Sequence, residues 1–187
     1  MINRILWHAA CATALMLFPA CGHRQPYPRT WPTLVDDRQG CEQLAGDYRD
    51  QEDTTQSLPT SLTQLLVGDP PDVRNRPDSV RFSFSPDNQL QVDVAAIDGE
   101  LFSLVLTGEQ FACQSGTLII RTGAHWVGAG PVYGFFSVGR QSTSLELRSA
   151  AGYLIMKNRT NVFAVVTMIP WRYTEHSWHR FERLPAS

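Results

Sequence analysis

The chain has 187 residues, 43% of them hydrophobic and 18% charged, with a formal net charge of −2. An apolar share of that size, with 10% aromatic residues, excludes a chain disordered throughout, and the near-neutral balance excludes a basic nucleic-acid binder. With 13 Gly and 12 Pro the chain is neither collagen-like nor low-complexity, and its length suits one globular domain.

The N-terminal stretch Ile5–Phe18 is apolar and free of acids, and Arg4 precedes it. At about 14 residues it is shorter than the roughly 20 needed to span a bilayer, which fits the apolar region of a signal peptide. It runs into Leu17-Phe18-Pro19-Ala20-Cys21. A small residue directly before a Cys resembles the lipobox of bacterial lipoproteins, with Phe18 where that family prefers Leu. The resemblance implies cleavage before Cys21, lipidation of its sulfur and acylation of its amine. Several acyl chains on one residue suffice for stable membrane anchoring. Gly22, where the family's inner-membrane proteins carry Asp, implies the outer membrane, facing the periplasm or the cell surface. An ordinary secretory signal cut nearby, or an uncleaved anchor, are the alternatives. The expected organisation is a signal peptide over 1–20, a Pro-rich tether over 21–40 and one β domain over 41–187.

Of the four Cys, the resemblance implies that Cys11 leaves with the signal and that Cys21 carries the lipid. Cys41 and Cys113 remain, and in an oxidising compartment they are expected to pair. No CxxC is present, so a thiol–disulfide oxidoreductase is disfavoured; a catalytic Cys would leave its counterpart unpaired.

The tether holds Tyr27, Trp31 and three prolines, and is expected to be extended, with its aromatics on the domain or at the membrane surface. The folded part opens with Leu44-Ala45-Gly46-Asp47-Tyr48, which resembles the first strand of small periplasmic barrels and lipocalin-like domains. Leu62, Leu65 and Leu66 share a helical face, Thr60 or Ser61 can cap it and Gly68 ends it, so the spacing predicts a short helix near 60–67. From Asp78 the pattern has period two: Val80, Phe82 and Phe84, then Leu90, Val92 and Val94 after a turn at Pro86-Asp87-Asn88. Asp98-Gly99 signals a hairpin. Further strands are expected over 101–107, 117–122, 144–148, 153–157, 162–168 and 178–184, with Ala151-Gly152 and Asn158–Asn161 as breaks. The fold class is therefore all-β, an antiparallel meander of about eight strands forming a barrel or a sandwich.

Gly123–Gly139 concentrates glycines and aromatics. It reads as a bent or bulged strand pair, or alternatively as an aromatic-lined lip over a cavity, with His125, Trp126, Tyr133 and Phe135 as candidate ligand-binding residues.

Chemistry-bearing motifs are scarce. The chain lacks Gly-x-Ser-x-Gly, His-Glu-x-x-His, a Cys/His zinc pattern and both nucleotide-binding Gly motifs. His176 and His179 sit three apart, which on a strand sends the rings to opposite faces. No metal, cofactor or catalytic residue is assigned. Residues 36–53 hold seven acids against two bases, read as a solvated face. Residues 171–183 alternate aromatics with Arg172, Arg180 and Arg183, a strand pattern that can also serve as an Arg/aromatic surface for a protein, glycan or lipid headgroup. The expected function is a lipid-anchored, non-enzymatic envelope domain that binds a partner or supports envelope structure. The alternatives are a lipocalin-like carrier of a lipophilic ligand, and a small hydrolase or hydrolase inhibitor.

Overall fold

A computed structural model describes residues 24–34, 40–53, 60–68, 76–132, 135–166 and 169–185, with the side chains of 100, 124–138 and 166–171 outside that description. Nine strands are described, in two antiparallel sheets. The first sheet is β1 (Gly46–Arg49), β2 (Ser79–Ser85), β3 (Gln89–Ala96) and β4 (Gly99–Leu106) in chain order. The second is β5 (Phe111–Gln114), β6 (Thr117–Val132), β7 (Phe135–Ala150), β8 (Tyr153–Val166) and β9 (Ile169–Glu182), again in chain order. The two sheets do not close on each other, so of the expected barrel and sandwich the chain forms the sandwich.

Alternation explains the core. Val80 and Phe82, and Leu90, Val92 and Val94, are fully shielded on the inner face of the first sheet. Leu118 and Ile120, Leu145 and Leu147, Leu154 and Met156, and Phe181 do the same for the second. All belong to one cluster, joined by Leu44, Tyr48 and Leu62. Burying such side chains contributes about 1.5–3 kcal/mol each against leaving them exposed.

The short helix α1 (Leu62–Val67) forms where its spacing predicts. Ser61 caps it by accepting from the Gln64 N–H, and Gly68 ends it with φ +84°. The buried Asp50 carboxylate holds its start, accepting from Ser61 Oγ at 2.7 Å and from the Thr63 N–H at 2.8 Å.

Gly46 opens β1 with φ +140°, and a Cβ there would lie 2.9 Å from the Arg183 guanidinium. That guanidinium donates to the carbonyls of Gln43 and Ala45 and stacks over the Tyr48 ring at 5.8 Å. The glycine is thus required by its backbone conformation, and Arg183 ties the segment leading into β1 to the end of β9. Burial drives the Tyr48 hydroxyl's pKa upward, with Arg183 opposing in part. Cys41 and Cys113 form a disulfide, with Cα atoms 5.9 Å apart, between the segment leading into β1 and the edge strand β5.

The second sheet departs from the sequence expectation in strand length. β6 and β7 run 16 residues each, and β8 and β9 run 14. Asn158–Asn161 is not a break: β8 passes through it, paired with β7 on one side and β9 on the other. The Gly-rich stretch is a strand pair with register shifts between Thr122 and His125 and between Ala129 and Val132, as a bulged pair should be. β5, only four residues long, was not foreseen.

The long strands carry two kinds of environment. Their core side chains stop at Ile120, Leu145, Met156 and His179's neighbour Phe181. Beyond that level, Gly139 is the only described residue of β6–β9 that is buried. The four strands continue as a ribbon past the sandwich.

Candidate functional site

Register places the ribbon's outer face. Arg121, Ser144, Arg159 and His176 form one row across β6, β7, β8 and β9. Two residues further up, Ser142, Asn161 and Thr174 form the next, and above it come Arg140, Phe163 and Arg172. Side chains two apart on a strand share a face, so all of these point the same way, opposite to the core.

Arg121, Arg140, Arg159 and Arg172 are all exposed. None of them joins an ion pair among the described residues. Phe163 is 50% exposed between Arg140 and Arg172. A shallow depression of about 430 Å³ is lined by Arg140, Ser142, Asn161, Val162, Phe163 and Arg172. A second, of about 590 Å³, shares Ser142 and Asn161 and continues to Arg121, with Glu109 on its rim. Guanidinium forks with hydroxyl and amide donors between them suit planar or tetrahedral oxyanions, which Arg binds through paired N–H donors.

Arg24 reaches the same face from the N-terminus. It bridges to His176 on the free edge of β9, and the Gln25 N–H donates to the His176 carbonyl at 3.3 Å. Trp178 Nε1 donates to the Gln25 carbonyl at 3.1 Å, and the Tyr27 ring stands edge-on to Trp178 at 5.0 Å. Trp31 receives Arg180 over its face at 5.3 Å. The aromatics of the expected tether therefore dock on the domain. Trp178 lies on the outer face, where Tyr27 and Lys157 cover it. Desolvation, then Lys157, Arg159 and Arg24, lower the pKa of His176, and Glu146 opposes weakly.

The acids of 40–53 hold the structure together. Asp47 takes two hydrogen bonds from Arg81, at 2.6 and 3.2 Å. Asp53 pairs with Arg180 at 2.8 Å, and its N–H donates to the Arg180 carbonyl. Glu52 Oε2 lies 3.2 Å from His179 Nδ1, close enough for an ion pair though not aligned for a hydrogen bond. Ser177 Oγ and His179 Nε2 are 3.0 Å apart. The order Ser–His–Glu is that of a nucleophile, base and orienting acid. Here Ser177 and His179 are successive core-side residues of β9, and Glu52 and Asp53 strap the crossing segment to that strand. Neither Ser177 nor His179 lines the two depressions.

Of the residues expected from sequence to bind a ligand, the register brings Trp126 opposite Arg140, His125 opposite Gln141 and Phe135 opposite Val132. The side chains of these three, and the whole of Tyr133, lie outside the described residues, as does Cys21. Among the described residues no group of three His, Cys, Asp or Glu could hold a metal. No family model, curated protein or solved structure matches the chain.

Proposed function

We propose that this chain is a lipid-anchored protein of the bacterial cell envelope that works without catalysis, by binding an anionic partner on the outer face of its ribbon. The observation that carries the reading is the row arrangement of Arg121, Arg140, Arg159 and Arg172, exposed and outside any described ion pair, around Phe163. Folding gains nothing evident from gathering four like charges on one face; recognition of oxyanions does. The Cys41–Cys113 disulfide suits an extracytoplasmic location, and the lipobox-like Cys21 supplies the anchor. A carrier function has less support, since the layer between the sheets is filled by Phe, Leu, Val and Met side chains.

Two measurements test the reading. Cys21→Ser should move the protein out of the membrane fraction in high salt, where exposed charges are screened; retention there speaks against the anchor. On a phosphate-bearing cation-exchange resin, Arg140→Gln with Arg172→Gln should elute at clearly lower salt than Arg81→Gln, which removes a charge from the first sheet. Equal elution of the two proteins would argue against the ribbon as the binding face.

A further inference from the structure

We propose that the outer face of the ribbon lies against the membrane that holds the anchor, and that its arginines take the phosphates of anionic lipid headgroups. This inference rests on the anchoring reading above and adds what the face binds and how the domain stands. Geometry supplies the first argument. Arg24 is fixed to His176 on β9, and Cys21 is three residues upstream. Three residues span at most about 10 Å when fully extended. A lipid on Cys21 therefore enters the bilayer within about 10 Å of the ribbon's edge. The chain between anchor and domain is too short to lift this face far from the headgroups.

Chemistry supplies the second argument. Arg24 adds a fifth guanidinium beside the row of Arg121, Arg159 and His176. Arg140 and Arg172 flank Phe163, and Val165, 39% exposed, follows on the same face. Basic side chains with exposed apolar ones between them match an anionic interface, charged at the surface and apolar just beneath. Ser142, Asn161 and Thr174 place hydroxyl and amide groups among the arginines, where phosphate oxygens would sit. The position of the anchor favours a membrane over a soluble polyanion.

The test uses the full-length protein purified from membranes and reconstituted into vesicles of phosphatidylcholine, alone or with one part in about three of phosphatidylglycerol. A fluorophore is placed at Phe163→Cys and, in a second protein, at Ile97→Cys on the β3–β4 turn, where the residue is 90% exposed. Quenching by spin-labelled lipid is read for each. The expected result is strong quenching at position 163 in anionic vesicles, little at 97, and loss of the difference in high salt. Each basic residue near an anionic surface is worth about a fivefold factor in binding, so Arg140→Gln with Arg172→Gln should lower the membrane-apposed population about 25-fold. The substituted residues are exposed, and thermal unfolding checks that the fold persists. Protein that fails to float with phosphatidylcholine vesicles has no anchor, which overturns the anchoring reading and this inference together. Protein that floats, but is quenched alike at 163 and 97 or regardless of lipid charge, overturns the inference alone. Soluble polyphosphate that binds while the vesicles leave position 163 unquenched would assign the face to a soluble polyanion instead.

Discussion

Leu145 and Gln141 stand on the same strand and the same face, four residues apart, in two different environments. Around Leu145 the first sheet covers the second, and the inward row reads Ile120, Leu145. Around Thr143 and Gln141 the described side chains are only half-buried, and the row reads Thr122, Thr143, Thr160, with Thr143 and Thr160 hydroxyls 3.5 Å apart. The backbone ladder is continuous through both. Strand formation in the ribbon is thus carried by pairing with neighbours, while burial carries it in the sandwich. The ribbon's side chains are correspondingly free to carry charge.

This contrast can be broken or sharpened by measurement. The largest effect is expected at the disulfide, which closes 72 residues of sequence separation. Its reduction, or Cys113→Ser, should lower unfolding stability by about 4 kcal/mol on the chain-entropy account, measured by denaturant titration. Next, Leu145→Ala should cost about 2–5 kcal/mol, whereas Gln141→Ala on the same face should stay within about 0.5 kcal/mol. Similar costs at both positions would erase the distinction between the halves.

A smaller effect concerns pH. The pKa of His176 is lowered from 6.5 in the folded protein, chiefly by desolvation, then by Lys157, Arg159 and Arg24. The unfolded chain then binds the proton first, so its contribution to stability is present above about pH 6.5 and is lost as pH falls below it. His176→Gln should flatten that part of the stability profile; an unchanged slope would show that other groups set it. The smallest effect is expected on stability in Arg140→Gln with Arg172→Gln, within about 0.5 kcal/mol, because neither side chain is buried. Finally, Ser177 should resist a fluorophosphonate probe. Stoichiometric labelling at Ser177 would turn the strap between Glu52 and His179 into a hydrolytic site.

Where a side chain's surroundings repeat along the chain, the sequence is legible. Val80 to Phe84 and Leu90 to Val94 alternate because one face meets the core and the other meets water, and both strands lie where the alternation predicts. The helix was legible through its cap and its stop. Asn158 to Asn161 misled for a physical reason: a strand held by pairing on both sides can be polar throughout, and it then resembles a loop. β5 shows no alternation over its four residues. The cationic face was hardest to read. Arg121, Arg140, Arg159 and Arg172 come one from each strand, far apart in sequence, and only the register between strands gathers them. Arg172 alone was singled out by the aromatic–Arg pattern near the C-terminus. The acids of 40–53 were legible as a cluster, while their separate partners, Arg81, Arg180 and the start of α1, depend on contacts distant in the chain.

The disulfide has a topological consequence. All four strands of the first sheet, Gly46 to Leu106, fall between Cys41 and Cys113. The smaller sheet is therefore enclosed whole within a covalent ring, with the N-terminal segment and β6–β9 continuing from the backbones of its two cysteines. A protease that cuts once inside the ring releases nothing: the nicked protein stays in one covalent piece and its N-terminal segment stays joined to β9. Two cuts, or one cut and a reductant, are needed before a fragment can leave. A gel run with and without thiol after brief proteolysis would display that difference as one band against two.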